Sequence, residues 1–233
     1  MTRPWCQPRP GLATPADAAA SRLRCGAMSV TVVDHPLAQH LLAQLRSQDT
    51  PPPVFRTLSK RLALAVALEA IRDLPTTEVK VDTPLETTTG HVLGDLVAVP
   101  ILRAGLGMLE AVTELFPEVA VGYIGLERDE ASLQPQSYYR KLPPVDDRHV
   151  MVLDPMLATG GSGSAGTAAV KEGGRPASIR FVCVVAAPEG LKRMEDEHPD
   201  VAIFAAAVDR QLDEHGYILP GLGDFGDRLF GTE

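Results

Sequence analysis

The strongest constraint on the fold is an alternation, along the second half of the chain, between short apolar runs and segments with helical periodicity. The helical segments are about ten residues long and carry apolar residues at intervals of three or four. Apolar runs of strand length are typical of parallel strands buried on both faces, because the intervening helices cover the sheet. The pattern therefore predicts an α/β fold with a mostly parallel sheet flanked by helices. The apolar runs are residues 96–102, 119–126, 150–153, 179–186 and 201–208.

The first half of the chain carries a different pattern. Leucines at spacings of three and four predict a helix over residues 37–45, and a second helix is predicted over residues 55–69. Residues 78–93 alternate apolar and polar positions around a threonine-rich run, which predicts a hairpin or a small β arm. With 45% hydrophobic residues in a chain of 233, residues 28–233 are expected to form a single domain.

Residues 1–27 differ in composition from the rest of the chain. They hold four arginines and one acid, and several prolines interrupt any regular apolar period. We expect a disordered extension, or a segment upstream of a start at Met28, with a transit peptide as the weaker alternative.

Charge and cysteine content exclude several classes of function. The net charge of −8 gives the chain no general attraction to nucleic acid or to anionic membranes, so any polyanion must be bound in a local pocket. Cys6, Cys25 and Cys183 show no paired spacing, and the histidines form no metal-binding pattern. The cysteine usage favours a reducing compartment, and we expect a cytoplasmic protein.

The most informative loop is DPMLATGGS at residues 154–162, which leaves an apolar run with a carboxylate and enters a helix through two glycines. Glycines let successive N–H groups converge on one anion, and a helix start adds positive partial charge. Thr159 and Ser162 can donate further hydrogen bonds. The loop therefore predicts a cradle for a phosphate monoester, with Asp154 directed at sugar hydroxyls or a cation; a capped turn with a purely structural role is the alternative.

Other readings of the same glycines are weaker. A Walker A loop needs a lysine after its last glycine, and none is present. Residues 161–166 match GxGxxG, but they lie too far beyond the preceding strand for a dinucleotide fold. The GxSxG signature of the α/β-hydrolases is absent from the chain.

Three further segments follow predicted strands or lie at the end of the chain. Arg103 leaves an apolar run before small residues, which suits a phosphate group, although a simple ion pair is the alternative. Residues 127–144 suggest either a lid with Arg128 at its base or a hairpin packed on a neighbour. Residues 214–228 hold four glycines and a proline, which argue against a helix and for a loop that binds a flat polar ring.

Five stretches resemble the uracil phosphoribosyltransferase family, a branch of the type I phosphoribosyltransferases. The similarity runs from about Asp34 to the C-terminus, and residues 1–27 lie outside it. It implies a type I phosphoribosyltransferase-like fold with a base-binding hood. The stretches are VPILRAGLGM (99–108), VLDPMLATGGS (152–162), VAAPEG (185–190), HPDV (198–201) and EHGYILPGLGDFGD (214–227).

The resemblance also implies an activity: transfer of the phosphoribosyl group of phosphoribosyl pyrophosphate (PRPP) to uracil, giving UMP and pyrophosphate, with Mg²⁺. The catalytic residues would be Asp154, Arg103 and Arg128. The uracil-binding residues would be Ile218, Gly223, Asp224 and Phe225. The PRPP-binding residues would be Arg103, Arg128, Asp154, Pro155, Met156, Leu157, Ala158, Thr159, Gly160, Gly161, Ser162 and Asp224.

The resemblance carries expectations beyond the site residues. It implies a cis peptide near Arg103–Ala104 and a homo-oligomer, a dimer or tetramer, and it leaves activation by GTP open. No dedicated Mg²⁺ ligands are assigned, because PRPP and water would hold most of the ion. One departure is that Pro155 follows Asp154 where many type I relatives carry a second acid.

Two functions of other classes compete with this one. An RNA-binding regulator could keep a phosphoribosyl pocket, but the net charge of −8 argues against it, and a salt-dependent RNA shift would discriminate. A nicotinamide-dependent oxidoreductase would be stabilised against heat by NAD rather than by PRPP.

Overall fold

The computed structural model of the chain describes residues 21–25, 28–128 and 135–232; for residues 21–25, 128 and 135 it describes the backbone alone. No helix in these ranges combines the length and the apolar character needed to cross a membrane. The helices are α1 (Pro36–Arg46), α2 (Pro52–Ile71), α3 (Leu106–Leu115), α4 (Gly161–Glu172), α5 (Pro188–Glu197) and α6 (Phe225–Phe230). The strands are β1 (Ser21–Cys25), β2 (Met28–Val32), β3 (Thr76–Asp82), β4 (Thr87–Leu93), β5 (Leu96–Leu102), β6 (Ala120–Val121), β7 (Tyr123–Arg128), β8 (Pro135–Lys141), β9 (His149–Leu153), β10 (Met156–Leu157), β11 (Ser178–Ala186), β12 (Ala202–Val208), β13 (Gln211–Leu212) and β14 (Ile218–Leu219).

The main sheet has the strand order β1-β2-β12-β11-β9-β5-β7-β8. Every pair from β2 to β7 along this path is parallel, and only the outer pairs β1–β2 and β7–β8 are antiparallel. The predicted α/β fold with a mostly parallel sheet is therefore confirmed.

The two faces of the sheet bury two separate apolar clusters, because successive side chains of a strand point to opposite faces. In β5, Ala98 packs with the cluster under α1, α2, α3 and α6, while Val97 and Val99 pack with the cluster under α4 and α5. Strands covered on both faces must be apolar throughout, which is the pattern read from the sequence.

The predicted β arm is the hairpin β3–β4, which pairs in continuous antiparallel register from Thr76–Leu93 at its base to Asp82–Thr87 at its tip. Most of its side chains are exposed, and Leu85 in the turn is 96% exposed. The hairpin thus extends away from the core that the sheet and helices form.

Several expectations need correction. Residues 21–25, placed in the disordered extension, form β1 against β2; residues 1–20, 26 and 27 lie outside the described residues. The run 119–126 is divided at Gly122 into β6 and β7. A helix was judged incompatible with residues 214–228, yet α6 begins at Phe225, because Asp224 caps it and the proline and three of the four glycines precede it; only Gly226 lies within the helix.

The strand register brings the functional loops to one edge of the sheet. Pro100 of β5 lies beside Leu153 of β9, and Leu153 lies beside Val182 of β11. The loops that follow β5, β9, β11 and β12 therefore emerge side by side, as expected for the ligand-binding edge of an α/β sheet.

Candidate active site

The 154–162 turn has the geometry of an anion cradle. Gly160 has φ +77°, and a Cβ there would lie 3.0 Å from the carbonyl oxygen of Gly190 in α5, so both conformation and space require glycine. The hydroxyl residues Thr159 and Ser162 are exposed, and α4 begins at Gly161. The first N–H groups of a helix have no partner within it and carry positive partial charge, so they can converge on a phosphate.

Asp154 is a buried carboxyl at the base of this turn, only 9% exposed. Burial raises its pKa to about 7, although a hydrogen bond from the backbone N–H of Met156 favours the charged form. No ion pair to Asp154 is present among the described side chains. Burial, followed by repulsion from Asp154, also raises the pKa of the Cys183 thiol on β11. A hydrogen-bond donor or a cation bound at this site would therefore stabilise the charged form of Asp154.

The loop after β5 lies directly beside Asp154. A Cβ on Gly105 would lie 2.4 Å from the carbonyl oxygen of Leu153, so the two loops touch through their backbones. The peptide bond between Leu102 and Arg103 is cis, one bond before the position expected from the sequence.

Arg103 is 60% exposed and rests on α6. One of its terminal nitrogens lies 3.5 Å from an oxygen of Asp227, and its guanidinium lies 5.8 Å from the centre of the Phe230 ring. A long ion pair of this kind is weak, so a polyvalent anion could displace it. Arg128 ends β7, and its side chain lies outside the described residues.

The region expected to form a lid, residues 127–144, is described only in part. Residues 135–141 form β8, which pairs antiparallel with β7, so the hairpin reading holds for Tyr138–Lys141. Residues 129–134 lie outside the described part of the chain.

The hood loop, residues 213–224, is held in place by a buried ion pair that sequence reasoning missed. Both carboxylate oxygens of Asp209 accept hydrogen bonds from Arg46 at 2.7 Å, and one also accepts from the N–H of Gly221 at 2.9 Å. Arg46 donates in addition to the carbonyl oxygen of Gly221 at 2.7 Å. The pairing residues lie 163 positions apart, so no local pattern could have found them.

A second arginine anchors the same loop. Arg228 donates to the carbonyl oxygens of Leu45 and Leu222 at 2.6 Å and lies 4.5 Å from the centre of the Phe55 ring. Arg228 is the last residue of the 214–228 segment singled out from the sequence, but nothing local indicated its partners.

The four residues expected to bind uracil differ in their exposure to solvent. Ile218 and Phe225 are buried, and the Phe225 ring packs edge-on against Phe55 at 5.2 Å between centroids. Gly223 and Asp224 are exposed, and one oxygen of Asp224 accepts from the N–H of Asp227 at the start of α6. The ring of Phe225 is therefore part of the core, and this residue could contact a ligand only through its backbone.

The separate loops lie close together at this edge of the sheet. A Cβ on Gly216 would lie 3.6 Å from the Thr159 side chain, and one on Gly226 would lie 3.9 Å from Ala104. The N–H of Leu212 donates to the Glu189 carboxylate at 3.1 Å, which ties the hood to α5. The arrangement can hold a phosphate at α4, hydroxyl groups at Asp154 and a flat polar ring under the hood.

Comparisons with known proteins agree on one family. The family model described as uracil phosphoribosyltransferase matches residues 32–232. A uracil phosphoribosyltransferase of Dictyoglomus turgidum is 52% identical over 207 residues, 88% of this chain and 100% of that protein. One of Oceanobacillus iheyensis is 50% identical over 208 residues, 88% of this chain and 99% of that protein. The solved structure of the AQ2163 protein from Aquifex aeolicus matches with a TM-score of 0.82 and 39% identity, covering 88% of this chain and 99% of that one.

Proposed function

Because the chain belongs to the uracil phosphoribosyltransferase family, we propose that the 154–162 turn, Arg103 and the hood loop together form its active site. The enzyme transfers the phosphoribosyl group of PRPP to uracil and releases UMP and pyrophosphate, a reaction of pyrimidine salvage. The observation that carries the site assignment is the buried carboxyl of Asp154 at the base of the glycine-rich turn that leads into α4.

Each part of the site has a role in this reaction. The bond from C1 of the ribose to pyrophosphate breaks while the bond to N1 of uracil forms, and the N1 proton is lost. Positive charge develops on the sugar ring and negative charge on pyrophosphate, which Arg103 and Arg128 would stabilise. Asp154 would accept hydrogen bonds from the ribose hydroxyls and hold C1 in line, and the α4 start would bind the 5′-phosphate.

The proposal includes Mg²⁺, and the residues fit a substrate-held ion. Among the described residues no group of three potential metal ligands is present. Magnesium in sites of this kind is held by substrate phosphates and water with one or two carboxylates. Asp154, which lacks an ion-pair partner among the described side chains, and the exposed Asp224 could supply those oxygens. The ion would neutralise the departing pyrophosphate.

We expect uracil and PRPP to give UMP with purified protein, and we expect removal of Mg²⁺ to abolish product formation. The physical reason is that pyrophosphate leaves as a polyanion, for which two arginines supply too little positive charge. Chromatographic separation of UMP, with and without a chelator and with Mg²⁺ restored, measures this. Full activity in the chelator would remove Mg²⁺ from the proposal, and no UMP under any condition would overturn the site assignment.

Base selectivity would come from the backbone of the hood loop. Uracil presents ring N–H donors and carbonyl acceptors, and the exposed residues Gly223 and Asp224 directly follow Gly221 and Leu222. The carbonyl oxygens of Gly221 and Leu222 accept hydrogen bonds from Arg46 and Arg228, which hold this bend in place. Cytosine reverses two of the uracil groups and would leave buried polar atoms unpaired at roughly 1–3 kcal/mol each.

We therefore expect cytosine to be used at least about tenfold less efficiently than uracil. Competition between the labelled bases at equal concentration, with UMP and CMP separated afterwards, gives the ratio directly. Equal yields of CMP and UMP would contradict recognition by a rigid backbone edge.

Family membership supports three further proposals about the whole molecule. The enzyme assembles as a homo-oligomer, a dimer or a tetramer, and GTP acts as an activator. It works in the cytoplasm, consistent with cysteines that lack paired spacing and with the burial of Cys183.

A further inference from the structure

A buried polar network joins α4 to α5 one helical turn behind the phosphate turn. Ser164 lies in the first turn of α4, and its N–H donates to the carbonyl oxygen of Gly160 at 2.8 Å. Its hydroxyl contacts the carboxylate of Glu197 and lies 3.1 Å from Nε2 of His198. His198 is only 7% exposed and begins the HPDV stretch, for which the proposed reaction gives no role.

The partners of His198 determine where its proton lies. Nε2 is 3.1 Å from the carbonyl oxygen of Ser164, which can only accept, so Nε2 carries the hydrogen. Nδ1 is 3.3 Å from the ammonium of Lys171, which can only donate, so Nδ1 accepts. Lys171 is itself paired with Asp200 at 2.6 Å. The ring is therefore neutral and makes a directed bond on each side.

The charges around the ring agree with this assignment. Burial, followed by the charge of Lys171, lowers the pKa of His198. The hydroxyl of Ser164 is then free to donate to Glu197, and that hydrogen bond is the first cause of the lowered pKa of this carboxyl. Every polar group in the network has a matched partner, so the network specifies one arrangement of the two helices.

The network complements a second contact between the same helices. At the phosphate turn, α5 approaches so closely that a Cβ on Gly190 would lie 2.5 Å from the carbonyl oxygen of Ala158. Between α4 and α5 this is a backbone contact at one point, while the rest of α4 packs on the sheet through apolar contacts. The bond from His198 to Ser164 provides a second point of attachment, one turn along the helix, and thereby sets the direction of the helix start.

We propose that His198 is a positioning residue for the 5′-phosphate of PRPP: through Ser164 it holds the first turn of α4 so that its N–H groups converge on the phosphate. The inference rests on the proposed function of the 154–162 turn. Phosphate binding at this turn acts equally on the bound substrate and the transition state, so an error in its direction appears in KM for PRPP rather than in kcat.

The test compares two replacements of His198. His198→Ala removes both directed bonds, and we expect KM for PRPP to rise about tenfold, with kcat and KM for uracil within about twofold of wild type. His198→Gln can place an amide N–H close to the position of Nε2, and we expect it to restore most of the PRPP affinity.

Val170→Ala is the matched control for loss of stability. Val170 is buried in the last turn of the same helix, far from the phosphate turn, so this variant should lower the thermal midpoint without changing KM for PRPP. The proposal is overturned if His198→Ala keeps the wild-type KM for PRPP, if all three constants change together, or if Val170→Ala reproduces its effect. A wild-type protein that forms no UMP would instead overturn the function itself.

Discussion

Replacing Asp154 by asparagine should lower kcat by a factor on the order of 100–1,000 while leaving the fold intact or more stable. Asparagine keeps the volume of the side chain but loses the negative charge that would hold the ribose hydroxyls and face the positive sugar ring. The carboxyl is buried, and no described side chain forms an ion pair with it. Its charge therefore costs folding free energy that asparagine does not require.

The pH dependence of stability follows from the direction of the pKa shift. The pKa of Asp154 is about 7 in the folded state, above its ordinary value of 3.8. Between these values the folded state binds more protons than the unfolded state, so this group makes the protein less stable as pH rises. The full cost above pH 7 is roughly 4 kcal/mol as an upper limit.

Thermal midpoints of the wild type and Asp154→Asn at pH 5 to 8.5 test this, together with initial rates of UMP formation. The stability advantage of Asp154→Asn should grow from pH 5 to about pH 7 and then level off. Asp95→Asn is a control for the same chemical change at an exposed position, and it should alter neither quantity. If Asp154→Asn forms UMP at a rate near that of the wild type, this carboxylate does not have the catalytic role assigned to it.

The second large effect concerns the hood. We expect Asp209→Asn to lower the free energy of unfolding by about 3 kcal/mol and to raise KM for uracil. Both oxygens of Asp209 accept from donors, on Arg46 and on the N–H of Gly221. An asparagine amide would point its own donors at one of these groups and leave the partly buried guanidinium of Arg46 without its negative partner. The loop that bends at Gly223 would lose one of its two anchors.

Urea denaturation and uracil saturation curves measure the two parts of this prediction. Glu172→Gln is the matched control, because it weakens an exposed ion pair with Arg140 and should change stability by less than about 1 kcal/mol. If Asp209→Asn and Glu172→Gln behave alike, the buried pair does not anchor the hood.

Much of the fold could be read from the sequence, because the evidence for it is local. A parallel strand covered on both faces must be apolar where it is buried, and this holds for all of β5, for β9 from Val150 and for β11 from Phe181. The phosphate turn was recognised for the same reason, since Gly160 and the start of α4 are adjacent in the chain.

Elements whose conformation depends on distant contacts were missed or misread. The glycines of residues 214–228 argued against a helix, but α6 forms where Phe225 packs on Phe55 and Asp224 supplies a cap. The resemblance placed Phe225 among the uracil-binding residues, and the burial of its side chain follows from that same packing. The ion pair between Arg103 and Asp227 likewise depends on where α6 lies.

The sequence by itself determined the order of strands and helices along the chain and the glycine-rich turn proposed to bind the 5′-phosphate, because hydrophobic periodicity and glycine-rich turns act over a few neighbouring residues. Only the tertiary structure decided how the hood is held and which way the first turn of α4 points. Those features depend on hydrogen bonds from Arg46 to Asp209 and from His198 to Ser164, between residues far apart in the chain. Such pairs produce no periodic pattern in the sequence, because their members become neighbours only when the sheet has formed.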